Sequence, residues 1–369
     1  MSQKETTRRN GKIELMRFIC ALAVVLFHFR KDGNTGYLFR SGALAVEFFF
    51  ILSGYLMMNS IDRVQNTIGD AGDLGVETFH FLRKKIVVLY PEVLIAFVFG
   101  FTLRCITRIN SFTDGVWYFV SSFWEALLLR HTGLQVKDVN PVTWYLSAML
   151  IAMAVLYPLL RKYRKMMTHV VLPLASLLIL GWLCQNYKTP RSPDGWTGWA
   201  FRGTLRAFGE IGVGVTCYQV TKAFSKLRLT KAGQIAVTCL EPILYGMFII
   251  YMCRFYSSQN DWAVIPLLAL AICITFSGHT LTHRMLDNRF VIFLGKISLP
   301  LYLGHHYWAY CLQFIFPKNM PWQQQFVIYV AAAALTTAVI YALSSLFRRY
   351  HVGQKIAGLF VRREEAASE

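Results

Sequence analysis

One apolar segment carries three groups that can do chemistry on a single face. In IELMRFICALAVVLFHF (13–29), Glu14 precedes Arg17 by three residues and His28 follows Arg17 by eleven. At 3.6 residues per turn, that spacing leaves His28 within roughly 20° of Arg17 around a helix and about 16 Å further along its axis. Glu14 lies on the same side, at an i, i+3 spacing that lets it pair with Arg17. A guanidinium at one end of such a stripe can hold an anion. An imidazole at the other end can take up and return a proton near neutral pH. Singly, each has a plainer reading, a snorkelling arginine and a hydrogen-bonded histidine. Their shared face favours a cavity.

A second segment, VEFFFILSGYLMM (46–58), runs back the other way and brings Glu47 near the level of His28. A carboxylate beside an imidazole fixes its tautomer and raises its basicity, so Glu47 is expected to orient His28; the alternatives are a protonated Glu47 or its pairing with an unrelated arginine. Ser53 and Gly54 fall near the level of Arg17, where they line a cavity or permit close helix packing. Arg202, Arg206 and Glu210 recur every four residues, as a salt-bridge ladder or as the wall of a substrate groove. Lys296, His305 and His306 are polar groups in one late apolar segment. His279 and His283 have i, i+4 spacing without a third ligand, so no metal is expected. No G-x-S-x-G, H-E-x-x-H or phosphate-loop pattern occurs, which removes soluble hydrolase, zincin and P-loop readings.

These groups need elements to position them, and the composition says which. Of 369 residues 55% are hydrophobic and 16% charged, against about 25% charged in a soluble domain. Apolar stretches near the length needed to cross a bilayer recur along the chain. The expected fold is all-α, a polytopic integral membrane protein with about ten transmembrane helices. The spans are placed at 13–29, 43–58, 86–104, 143–160, 169–187, 201–220, 232–252, 263–277, 290–316 and 326–346, and the aromatic stretch 116–129 is read as an interfacial helix. The eight cysteines are scattered, without a C-x-x-C pair, and predict buried thiols and no disulfide framework.

The net charge of +18 would suggest nucleic acid in a soluble protein, but its distribution points to topology and anionic lipid. With both termini on the cytoplasmic side, roughly twice as many Lys and Arg fall in inside segments as in outside ones, as the positive-inside rule requires. The expected organisation is a basic cytoplasmic segment (1–12), a transmembrane domain (13–346) and a basic cytoplasmic tail (347–369), in the cell's cytoplasmic membrane. The first helix is expected to be retained, since no cleavage site follows it. The longest loops are placed at 59–85 inside and 105–142 outside.

The first segment resembles the first-helix signature of the acyltransferase-3 family of membrane acyltransferases, with Glu14, Arg17 and His28 in the places of its acidic residue, arginine and histidine. VEFFFILSGYLMM is similar to the second signature, at Glu47, Ser53 and Gly54. TWYLSAMLIAMAVLYPLL resembles a mid-chain span, and LGKISLPLYLGHHYW a late one that places His305 on the family histidine. The family's usual aspartates are both glutamates here. Its Arg-x-x-Arg before a proline is replaced in LRKKIVVLYP by Arg83, Lys84 and Lys85, which keep the charge but not the spacing.

The resemblance implies transfer of an acyl group, usually acetyl, from acyl-coenzyme A to a hydroxyl of a cell-surface polysaccharide or lipid-linked glycan. His28, Glu47 and Arg17 would be catalytic. Arg17, Arg83, Lys84, Lys85 and Ser53 would hold the acyl-CoA donor, and Glu14, Arg202, Arg206, Glu210 and His305 would face the acceptor. The expected partners are that glycan and membrane lipids, with no nucleic acid. A proton-coupled transporter is the rival reading, since intramembrane Glu, Arg and His also build proton relays.

Overall fold

Asn10 opens the first helix: its side chain accepts from the backbone N–H groups of Lys12 and Ile13, and α1 then runs Gly11–His28. Gly69, with φ +83°, closes α2 (Ala45–Ile68). Asp73 caps α3 (Leu74–Arg108) by accepting from Gly75 and Val76. The computed structural model describes residues 9–29, 36–69, 72–109, 111–134, 137–191, 193–256, 258–282, 284–315 and 320–350. Arg30, Lys31, His283 and most of the two expected basic tails lie outside the described residues.

The remaining helices are α4 (Phe112–Ala126), α5 (Trp144–Lys162), the single turn α6 (Arg164–Met166), α7 (Leu172–Asn186), α8 (Arg202–Phe224), α9 (Lys231–Arg254), α10 (Val264–Phe276), α11 (Arg289–Gly304), α12 (His306–Ile315) and α13 (Trp322–Arg349). A π-helical turn (Met167–Val171) joins α6 to α7. The described residues contain no β-strand, and the fold is all-α. α4 covers most of the stretch 116–129 expected at the interface, and it is amphipathic. Tyr118, Ser122 and Glu125 are buried on one side, and Trp117, Val120 and Phe123 are exposed on the other.

Seven segments among the described residues are long and apolar enough to cross a membrane, against the ten expected. The other three expected spans fall on α1, α8, and α11 with α12. α1 carries Lys12, Glu14 and Arg17, α8 carries Arg202, Arg206, Glu210 and Lys222, and α11 has only 16 residues. α8 packs against α2, α5, α7 and α10, and α1 against α2, α11 and α12. A helix enclosed by other helices meets protein instead of lipid, so its polar residues can be paired there. The expected loop 59–85 is also mostly helix, because α2 and α3 continue past their apolar stretches into polar turns.

Two glycines set the central contact. A Cβ on Gly54 would lie 2.1 Å from the carbonyl oxygen of Ile211, and one on Gly214 would lie 2.0 Å from that of Ile51. α2 and α8 therefore touch backbone to backbone, the close approach that drives helix association where no water is displaced. The two run in the same direction, since Glu47 meets Arg206 and Asp62 meets Lys222. Ion pairs fasten the helix ends: Lys12 with Glu241, backed by Thr280 and Thr282, and Asp62 with Arg164, Lys222 and Tyr218.

Candidate active site

A cavity of about 370 Å³ opens between α1, α2, α3, α5 and α11. Arg17, Lys84 and Lys85 line one end of it. Phe49, Tyr145 and Tyr302 line the other, and Ser53 lies on its wall. The guanidinium of Arg17 is 3.4 Å from Glu14, which also lies 3.6 Å from Arg9. The Arg17 side chain is 32% exposed and that of Glu14 8%, so the arginine leans into the open space and the glutamate backs it. Arg17, Lys84 and Lys85, with Glu14 paired to the first of them, give this end a positive potential, strengthened by the apolar walls. Ser53 Oγ lies 3.4 Å from the Tyr145 hydroxyl and 3.3 Å from Met149 Sδ. Arg83 is not among the residues lining the cavity, and Lys296 is exposed on α11.

One aromatic ring beyond the cavity lies a pair of histidines. Tyr302 lines the cavity, and its ring centroid is 6.1 Å from that of His305. His305 Nε2 lies 3.3 Å from His28 Nδ1. The His306 ring stands 5.2 Å from His28. The pair forms because α1 and α11 run side by side in the same direction, with Glu14 packed on Gly295 at one end and His28 on His305 further along. Tyr302 is itself fixed by donating to the Val142 carbonyl at 2.9 Å.

Glu47 is not the partner of His28. Its carboxylate bonds to Arg206 of α8, and its second oxygen has no hydrogen-bond partner. The face of α2 that carries Glu47 looks toward α8, and a buried carboxylate is drawn to the nearest buried cation. Arg206 also lies 3.3 Å from Glu210, donates to the Pro190 carbonyl and packs over the Trp144 ring at 5.3 Å. Arg202 does not continue this ladder; its guanidinium sits over the Tyr187 ring at 4.4 Å. Being the first residue of α8, its side chain reaches back over the preceding loop. His279 bonds to the Phe224 carbonyl at 2.9 Å. The cavity, its cations and the histidine pair thus come together, while Arg206 and Glu210 close on Glu47.

Tyr145 and Tyr302 were not anticipated from the sequence, since an aromatic residue in an apolar span reads as packing. A charged cluster at the His28 end of the bundle was also missed. Arg130 makes two 2.8 Å bonds to Asp138. Asp194 Oδ1 lies 3.2 Å from Arg130 and 3.4 Å from His131, whose ring is stacked between Trp144 and Phe201. Burial of that ring, with the neighbouring Arg130 charge, holds the His131 pKa below the ordinary value against the pull of Asp194. Burial opposes ionisation of Asp194, but the bond from His131 and the Arg130 charge outweigh it and keep the carboxyl below its usual range. Loop residues far apart in sequence carry no periodic signal, so this cluster was not legible.

A family model described as an acyltransferase domain matches residues 10–345, nearly the whole chain. No curated protein and no solved structure matches it. The bundle, its cavity and this match define a multi-pass membrane acyltransferase. The chain belongs to the acyltransferase-3 family.

Proposed function

We propose that the protein moves an acyl group, acetyl first among them, from acyl-coenzyme A to a hydroxyl of a cell-surface polysaccharide or lipid-linked glycan. The observation that carries the reading is the arrangement of one cavity: Arg17, Lys84 and Lys85 at one end, and a single ring between its other end and His28. The excess of Lys and Arg at the first end supports a cytoplasmic orientation there, facing the pool of an anionic donor. The coenzyme's phosphates meet the three cations. Its extended arm follows the stripe along α1 past Ser53, a rise of about 16 Å between Arg17 and His28.

His28 is the general base. It takes the proton from the acceptor hydroxyl as that oxygen attacks the thioester carbonyl carbon. The carbon–sulfur bond then breaks, and the proton passes from the imidazolium to the departing thiolate. The products are the O-acyl ester and coenzyme A, with His28 neutral again. Glu14 acts through Arg17, and Glu47 acts through Arg206, holding α2 against α8. The acceptor glycan and membrane lipids are the partners this scheme requires.

The test is to express His28→Ala and Arg17→Ala, verify membrane insertion, and measure the acyl content of the surface glycan. Loss of acylation in both variants is expected. Unchanged acylation in an inserted His28→Ala protein overturns the base assignment, and solute flux without any acylated product favours transport.

A further inference from the structure

Two histidines share the site, and their hydrogen bonds are not equivalent. A carbonyl oxygen only accepts, so a ring nitrogen facing one carries a hydrogen. His28 Nδ1 lies 2.9 Å from the Val24 carbonyl, one turn back in α1, so Nδ1 carries the hydrogen and Nε2 the lone pair. His305 Nδ1 lies 3.3 Å from the Leu301 carbonyl and is likewise the protonated nitrogen. His305 Nε2 is then an acceptor, and it faces the Nδ1–H of His28 at 3.3 Å. That hydrogen is shared between Val24 and His305.

We infer that His305 is a positioning residue for His28, a neutral imidazole doing what a carboxylate does in a triad, and not a second base or a group that binds the acceptor. The inference rests on the proposed role of His28 as base. Both ring nitrogens of His305 are committed, one to Leu301 and one to His28, and its side chain is fully buried. Because Nδ1 of His28 holds the hydrogen, the basic lone pair of the ring is on Nε2, the atom that would take a hydroxyl proton. Once Nε2 takes that proton, the imidazolium keeps its Nδ1–H directed at two acceptors, which stabilise the new charge and hold the ring in one orientation. No proton leaves His305 at any point. The rings of Tyr302 and His306 each lie with their centroids 6.1 Å from that of His305.

The experiment compares His305→Leu, His305→Gln and His28→Gln as full-length chains in membranes that contain the cell's own acceptor. It follows thiol release from acetyl-CoA, normalised to inserted protein. Glutamine keeps an acceptor for the Nδ1–H, and leucine does not. His305→Leu is expected to lower kcat by roughly 10²-fold, the lower end of what a positioned general base contributes, with KM for acetyl-CoA unchanged. His305→Gln is expected to recover to within about tenfold of wild type, while His28→Gln is inactive. Nitrogen-15 spectra of labelled protein add a readout independent of turnover: the Nδ1–H signal of His28 moves in His305→Leu and stays near its wild-type place in His305→Gln. A His305→Gln protein as inactive as His28→Gln overturns the inference by making His305 itself a proton carrier. So does a His305→Leu protein with wild-type kcat. An active His28→Gln protein instead overturns the proposed function, so the two failures are distinct.

Discussion

Two buried carboxylates, Glu47 and Glu210, depend on the guanidinium of Arg206, and all three side chains are at most 2% exposed. Arg206→Leu removes that cation and leaves both carboxylates, and the Pro190 carbonyl, without their donor. Taking one partner from a buried ion pair costs about 3–5 kcal/mol, and two orphaned carboxylates place this variant near about 5 kcal/mol. Glu47→Gln is a different perturbation. The amide has nearly the same shape, its oxygen still accepts from Arg206, and Glu210 still balances the guanidinium. Its cost is expected near about 1 kcal/mol, that of a weakened hydrogen bond.

The assay is equilibrium unfolding of purified protein in mixed micelles, followed by tryptophan fluorescence. A Glu47→Gln cost equal to that of Arg206→Leu would falsify the assignment of Arg206 as the shared cation. Activity supplies a second arm. Glu47 makes no hydrogen bond to His28, so Glu47→Gln is expected to keep its kcat per folded molecule. A loss of roughly 10²-fold in a stable protein would return Glu47 to the catalytic base.

Three further outcomes are expected. Replacing Lys84 and Lys85 by Gln should raise KM for acyl-CoA by about tenfold and flatten its salt dependence, with kcat little changed; a salt dependence equal to wild type would remove the donor from this end of the cavity. Gly54→Leu puts side-chain atoms where the Ile211 carbonyl already stands, an overlap with backbone that no rotamer relieves; a cost of about 3 kcal/mol or more is expected, read as loss of monodisperse protein. Because the His131 pKa is lowered in the fold, the unfolded chain binds the proton first, so stability is full above the ordinary value of 6.5 and falls as pH drops below it. Asp194, lowered from 3.8, contributes to acid loss only below that value; thermal unfolding in detergent from pH 7 to 5 should thus show a decline in wild type that is smaller in His131→Phe.

The stripe on α1 was legible because Glu14, Arg17 and His28 belong to one helix, where spacing alone fixes the face. The partner of His28 was not, because estimated depth put Glu47 at the right level but could not say which neighbour α2 turns toward. Gly54 was open to two readings, and its use became clear only with the Ile211 carbonyl beside it. Hydropathy finds helices by their contact with lipid. It therefore sees α9 and α13, overestimates what can be said of α1 and α8, and misses the polar turns that extend α2 and α3 into the expected loop. Asp194 and His131 meet through loops, where sequence distance says nothing about spatial distance.

Tyr302 has one more consequence. Its ring, with Phe49 and Tyr145 at centroid distances of 6.4 and 6.2 Å, stands between the cavity and the histidines. A continuous water column through that point would let protons run down the gradient that energises a cell membrane. In the proposed scheme this aromatic septum would bar such a column, so that ions on either side would stay where they are while the acyl group is handed on to the acceptor.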